Sequence, residues 1–411
     1  MIYKLLITLI LGISSVSWVA GQTLEQYLKT AAENDPGLKA KYAAFEASMK
    51  KVAQVNQLPD PQLSLGVFIL PVETRVGPQR AKIGLAQMFP WFGTLKTAGS
   101  VYQLKAEANY QQFLKAKLEL FKKVKLAWYP LYEIEQKIKL QQENIAILET
   151  YKTLATRAFE NGKSAMTDVI RVEVLIDDAK TKVALMETKK RPLKVRFNAL
   201  LNREEMEEVL IADTLVFPNL NDRYRKDSLF VSDPQLKALD LQQESAVEKA
   251  NLVRKQGLPK FGVGVDYVFV GQRDGVTLPD NGKDVLMPMV SVSIPIFRKK
   301  YKAAIEEANL TQASIENQKK AYKNKVVADY EMEKYKITEA RDLNQLYQQQ
   351  IEKMQQIENL LLKSYSNSGE DFEEILRIQQ RVLNYETAVV EAITRAYKAM
   401  AEIEYLTAKI E

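Results

Sequence analysis

The sequence predicts a mainly helical protein with a small β part, built as two copies of one order: helix, strand, strand, long helix, helix. Three observations predict this. The stretch from Asp35 to Leu70 recurs in outline from Asp233 to Val270. Asp35-Pro36, Leu38, Lys39 and Ala40 meet Asp233-Pro234, Leu236, Lys237 and Ala238, and Leu58-Pro59 meets Leu258-Pro259. Each copy then carries two segments in which large apolar residues alternate with small or polar ones, and each ends in two long helical patterns separated by Asn161-Gly162 or Ser368-Gly369. The copies lie about 200 residues apart, well beyond the roughly 20 to 50 residues of a solenoid unit. The chain is a duplicated half-molecule.

Residues 1–21 read as an export signal. Lys4 supplies the charged start, Leu5 to Ile13 an apolar run too short to span a bilayer, and Val19-Ala20-Gly21 the small residues for cleavage before Gln22. Residues 22–201 form the first repeat. Leu24, Tyr27, Leu28, Ala31, Leu38, Tyr42, Phe45, Met49 and Val52 recur at helical spacing over about 24–56, with a break at Asp35-Pro36, because proline disfavours helix in the residue before it. Strands are expected at about 62–70 and 81–89, with a loop from Pro71 to Arg80. A helix of about 93–160 follows, roughly 100 Å at about 1.5 Å per residue, with a kink expected at Pro130. After the Asn161-Gly162 stop a helix returns over about 164–201. The N-terminal and returning helices together rise roughly 105 Å, close to the long one.

A connector, 202–232, joins the halves. In the second repeat, 233–411, a helix is expected over about 235–256 and strands at about 260–270 and 286–297. Helices follow at about 298–366 and 371–406. Phe261, Val263, Val265, Tyr267 and Phe269 alternate with Gly262, Gly264 and Asp266, the clearest strand signal in the chain.

Composition narrows the function. With no cysteine there is no disulfide framework, no thiolate metal site and no lipidated N-terminal Cys. With no histidine, the commonest general base and metal ligand are both missing. No Gly-rich phosphate loop appears, and the carboxylates lie on heavily charged helices, so the reading expects no enzyme, no cofactor and no metal. The net charge of +6 is interleaved with acids along helices, which argues against a nucleic-acid partner.

Strand length and number give the membrane argument. About ten residues cross a bilayer when tilted, yet four strands cannot close a barrel, for which about eight is the practical minimum. An open edge in lipid is not tolerated. Spanning strands must therefore be pooled among copies, and three copies would give about twelve, enough for a water-filled lumen.

Over essentially its whole mature length the chain resembles the TolC-type outer-membrane efflux proteins. The duplication carries the resemblance, with Leu58-Pro59-Asp60-Pro61 before the first strand and the strand-to-helix phrases Met88-Phe89-Pro90-Trp91-Phe92-Gly93 and Ile294-Pro295-Ile296-Phe297. Arg157-Ala158-Phe159-Glu160-Asn161-Gly162, followed by Asp168-Val169-Ile170, looks like the family's hairpin-tip motif. The resemblance implies a homotrimer in the outer membrane of a Gram-negative-type cell, a 12-stranded β-barrel continuing into a periplasmic α-helical barrel. It implies as partners a periplasmic adaptor (membrane-fusion) protein, an inner-membrane efflux transporter and outer-membrane lipid. The family includes a heavy-metal efflux branch, but the scattered methionines supply no ligand cluster.

By the same resemblance, Asp371, Glu373, Glu374 and Asp168 are the expected periplasmic constriction. Glu374 aligns with the family's first constriction acid, whereas Arg377 departs from its pattern at the second. In the first copy Asp168 and Arg171 take the matching places. These acids also favour the N-terminus of a returning helix, and one side chain can serve both roles. Arg157, Gly162 and Gly369 are the adaptor-contact candidates, although glycine there also serves the turn. Trp91, Tyr267 and Phe269 are the expected membrane-interface aromatics; for Phe92 and Phe297 core packing is an equal alternative. The rival reading of the whole chain is a periplasmic coiled-coil scaffold or adaptor without a pore, and a cell-wall or lipid enzyme is a distant third.

Overall fold

The computed structural model describes residues 24–211, 214–218, 224–275, 277–368 and 372–409, with the backbone alone at 366–368. The predicted export signal lies outside them. In chain order the elements are α1 (Leu24–Asn34), α2 (Pro36–Val55), β1 (Gln62–Thr74), β2 (Gly77–Phe89), α3 (Thr94–Glu160), α4 (Met166–Leu200), α5 (Pro234–Gln256), β3 (Lys260–Val270), β4 (Val285–Ser293), α6 (Lys299–Ser368) and α7 (Phe372–Leu406). No described helix is long and apolar enough to cross a membrane. The chain divides into two compact units. One holds the chain up to Asp35, Leu120–Leu220 and Glu333–Glu402; the other holds Pro36–Glu119, Asn221–Met332 and the chain from Ile403.

Helix boundaries follow local chemistry. The Asp35-Pro36 step separates α1 from α2, and its repeat Asp233-Pro234 starts α5. There the Asp233 carboxylate accepts from Leu236 N at 2.9 Å with proline at the first helical position. α3 continues through Pro130 as one helix. The 11, 20 and 35 residues of α1, α2 and α4 nearly equal the 67 of α3, whereas the 23 and 35 of α5 and α7 fall short of the 70 of α6.

In the first unit the core is aromatic beside the connector. Trp128 stacks on Tyr132 with centroids 5.7 Å apart, and Tyr27 meets Phe197 edge-on at 5.0 Å. The connector is clamped to this core by side chains. Asn198 Nδ2 donates to the carbonyls of Glu205 and Glu207 at 2.9 and 2.8 Å. Arg203 Nε donates to Asn198 Oδ1 at 2.9 Å, and its guanidinium lies over the Tyr27 ring. Leu215 N donates to Tyr132 Oη, and Tyr397 Oη donates to the Val216 carbonyl. An ion-pair network crosses from α3 to α7 in the same unit: Lys137 reaches Glu133 and Glu391 at 2.8 and 2.6 Å, and Lys398 reaches Glu133 at 3.2 Å. Burial pushes the Glu133 carboxyl up, but its hydrogen bonds and the charges of Lys137 and Lys398 prevail and hold it below the ordinary range.

In the second unit the four strands form one antiparallel sheet in the order β1-β2-β3-β4. Strand limits differ from the sequence reading in two places. β1 and β2 run through the segment expected to be a loop, with the turn confined to Arg75-Val76 before Gly77, whose φ is +127°. Register shifts between Val67 and Val72 and between Gln79 and Ala81 scramble the alternation there. β4 stops at Ser293 rather than 297, because its partner β3 begins at Lys260, opposite Ser293, and residues beyond have nothing to pair with. Pro288 lies inside β4, which within the chain is an edge strand.

Candidate functional site

Two surfaces carry the chemistry, one in each unit. The first is the sheet. Its register aligns Leu65, Ile83, Tyr267 and Leu286 in one row and Leu63, Leu85, Val265 and Pro288 in the next. The period of two thus puts most of the large apolar residues of the four strands on one face. These side chains are exposed: 73% for Leu65 and 80% for Val290. The opposite face carries small residues, among them Gly66, Gly84, Ala86, Gly262 and Gly264, together with the Lys82–Asp266 ion pair. Contiguous apolar area on this scale is foreign to a water-facing sheet.

Aromatic residues bracket this face. At the start of β3, Trp91 packs on Phe261 (centroids 5.8 Å) and on Phe92 (6.1 Å). At its far end Tyr267 and Phe269 meet edge-on at 5.0 Å, and Tyr267 Oη donates to Asp284 Oδ2 at 2.7 Å. Trp91, Tyr267 and Phe269 therefore belong to two opposite ends of the strand and not to one cluster. Phe92 and Phe297 are 81% and 78% exposed, so within this chain neither packs in a core. The strand-to-helix turn is set by Gly93 (φ +75°), with Thr94 N donating to the Trp91 carbonyl and Lys255 Nζ donating to Thr97 Oγ1 at 2.7 Å.

The second surface is the α3–α4 turn with the start of α7. Gly162 N donates to the Phe159 carbonyl at 2.9 Å and Lys163 N to that of Ala158 at 2.8 Å, with Gly162 at φ +68°. This is a Schellman stop. Arg157, one turn earlier, is exposed, and its carbonyl accepts from Asn161 Nδ2 at 2.7 Å. Beneath the turn lies a tight apolar core that includes Tyr151, Ala155, Val172, Phe372, Ile375 and Leu376. Tyr365 and Phe372 pack at 4.9 Å.

Three acids here, Asp168, Glu373 and Glu374, are paired with arginine. Arg171 reaches Asp168 at 3.5 Å and, across to α7, Glu373 at 3.1 Å; Arg377 pairs with Glu374. The Arg171–Glu373 link between the two hairpins was not legible in sequence, because nothing in residue spacing sets α4 beside α7. Asp371 and Gly369 lie outside the described residues. Among the described residues no cluster of acids could hold a metal ion.

No protein-family model matches the chain, and no curated protein matches it in sequence. In structure it is similar to VceC, an outer membrane protein of Vibrio cholerae, at 13% identity over 93% of this chain and 95% of that one, with a TM-score of 0.73. It is similar to the MtrE outer membrane channel of Neisseria gonorrhoeae in its open state, at 18% identity over 94% and 89% of the two chains, TM-score 0.71. CusC, which forms a transmembrane channel, matches at 12% identity over 94% and 92%, TM-score 0.75. At such identities it is the architecture that is shared: this chain has the fold of the TolC-type outer-membrane channel proteins, mainly helical with a small antiparallel β part.

Proposed function

We propose that three copies of this chain form the outer-membrane conduit of an efflux assembly, which passes small molecules or ions from a periplasmic adaptor and inner-membrane pump to the exterior without transforming them. One observation carries this reading: the sheet has a bulky, exposed apolar face and, within the chain, two unpaired edges, β1 and β4. In lipid each unpaired edge group costs several kcal/mol, roughly, so the edges must be satisfied by other strands. Pooling three sheets joins β1 of one copy to β4 of the next and closes about twelve strands around a lumen. The likeness to outer membrane channels of Neisseria gonorrhoeae and Campylobacter jejuni supports the same reading.

The α3–α4 turn is then the periplasmic tip. Arg157, Gly162 and Gly369 are the proposed adaptor contacts, and Asp168, Asp371, Glu373 and Glu374 the proposed constriction. Three copies of an acidic turn around one axis attract cations, although Arg171 and Arg377 offset part of that field. Trp91, Tyr267 and Phe269 are proposed to meet the lipid headgroups.

The purified chain in detergent is expected to have the mass of three copies, to fractionate with outer membranes and to conduct in planar bilayers. Glu373→Gln together with Glu374→Gln is expected to lower its cation selectivity. A water-soluble single chain that never conducts would point instead to a periplasmic scaffold.

A further inference from the structure

Opposite its apolar face the sheet presents a surface of unusual composition. Around the paired rows from Met88–Gly262 to Lys82–Val268, the residues of this face are mostly glycine, alanine, serine and methionine. Lys82 and Asp266 are its charged residues. They sit on neighbouring strands one row apart, since Gly84 is opposite Asp266 and Lys82 opposite Val268, and they form an ion pair. The partners are not equally exposed: the Lys82 side chain is 36% accessible and that of Asp266 only 2%. Glycine at 84 makes room for this arrangement, because a Cβ there would collide with Asp266 Oδ1 and Ser64 Oγ. The carboxylate is thus covered while the lysine side chain is partly open to solvent.

We infer that Lys82, anchored by a covered Asp266, is a lumen-facing cation that biases the β part of the conduit toward anions and anionic solutes. The inference rests on the proposed trimeric channel, in which the apolar face meets lipid and this face meets water. A purely structural ion pair would be cross-linked charge with no consequence for passing ions. Here the two charges are unequally presented to solvent, so the pair acts as a dipole with its positive end in the water path. Three copies would place three ammonium groups around one axis, with no competing charge in those rows. Passing ions within several ångströms of a partly compensated charge in water feel it by about a factor of two in permeability.

The test is reversal-potential measurement on the full-length protein in planar bilayers under a potassium chloride gradient. Lys82→Gln with Asp266→Asn, which removes both charges and leaves no buried unpaired carboxylate, is expected to shift the anion-to-cation permeability ratio about twofold toward cations. Asp266→Asn alone is expected to shift it toward anions. Unchanged selectivity in conducting variants would overturn the inference while leaving the channel reading intact; a wild-type chain that does not conduct would overturn that reading. Because the chain has no cysteine, a second measurement is independent of the charge variants. Lys82→Cys is expected to react with an anionic, membrane-impermeant thiol reagent in proteoliposomes, and Ile83→Cys, on the apolar face, is not. Failure of Lys82→Cys to react while Ile83→Cys reacts would also overturn it.

Discussion

Substituting Val265 by arginine separates a lipid-facing sheet from a water-facing one. Val265 is the sixth residue of the eleven-residue β3 and lies on the apolar face beside Leu85 and Pro288. At about 3.4 Å per residue and a tilt near 45°, it sits roughly 12 Å in depth from either strand end, close to the middle of an apolar band ~25 Å tall. Arginine at that depth costs about 2–4 kcal/mol per copy, hence roughly 6–12 kcal/mol for three. Val265 is 38% exposed in the single chain; on a surface in water the same change would cost within about 0.5 kcal/mol. The assay is urea titration of folding into phospholipid vesicles, with Met289→Arg on the opposite face as control and an expected cost within about 1 kcal/mol. Equal effects of the two substitutions would refute the assignment of faces.

Four other substitutions, at three positions, probe the tip, the core beneath it and α7 further along. Ile375→Ala, at a position 0% exposed in the apolar cluster under the turn, is expected to cost about 2–5 kcal/mol in chemical denaturation; a loss under ~1 kcal/mol would mean the cluster is loosely packed. Gly162→Ala is expected to cost about 1–2 kcal/mol through backbone strain alone, since no atom lies near the missing Cβ, and Gly162→Asn less, because asparagine visits the left-handed region more readily. If Gly162→Asn keeps stability yet abolishes adaptor binding, the turn is a contact as well as a cap. Burial, then the charges of Glu143 and Glu358, raise the Glu386 carboxyl above its ordinary 4.5. The folded state therefore holds that proton to higher pH than the unfolded one, and stability falls as pH rises from about 4.5 through the raised value. Glu386→Gln is expected to raise the unfolding temperature at pH 8 and not at pH 4; an equal gain at both would contradict this.

Much of the architecture is legible in the residues because two different periods stand side by side. Phe261 to Phe269 alternate without interruption and become β3, and the Asn161-Gly162 step becomes a Schellman stop. The tips of β1 and β2 were illegible because Pro71, Pro78 and two register shifts mimic a loop, while the turn itself needs only Arg75 and Val76. Ile294 and Ile296 alternate like strand residues but have no partner opposite them. Pairing is a tertiary property that no single segment records. The same holds for the connector, whose anchors Asn198, Tyr27, Tyr132 and Tyr397 come from four helices. It holds too for the acids at the tip: their spacing marks a helix start, but only the packing of α4 on α7 brings Arg171 to Glu373.

The central claim is that β1 of one copy completes its ladder on β4 of the next and that the ring closes at three. With no native cysteine to interfere, cysteines placed in pairs along β1 and β4, scanned through several registers in membranes and oxidised, test it directly. A covalent ladder that ends at three chains is predicted for the correct register. An open-ended ladder, or no inter-chain cross-link at any register, would contradict it.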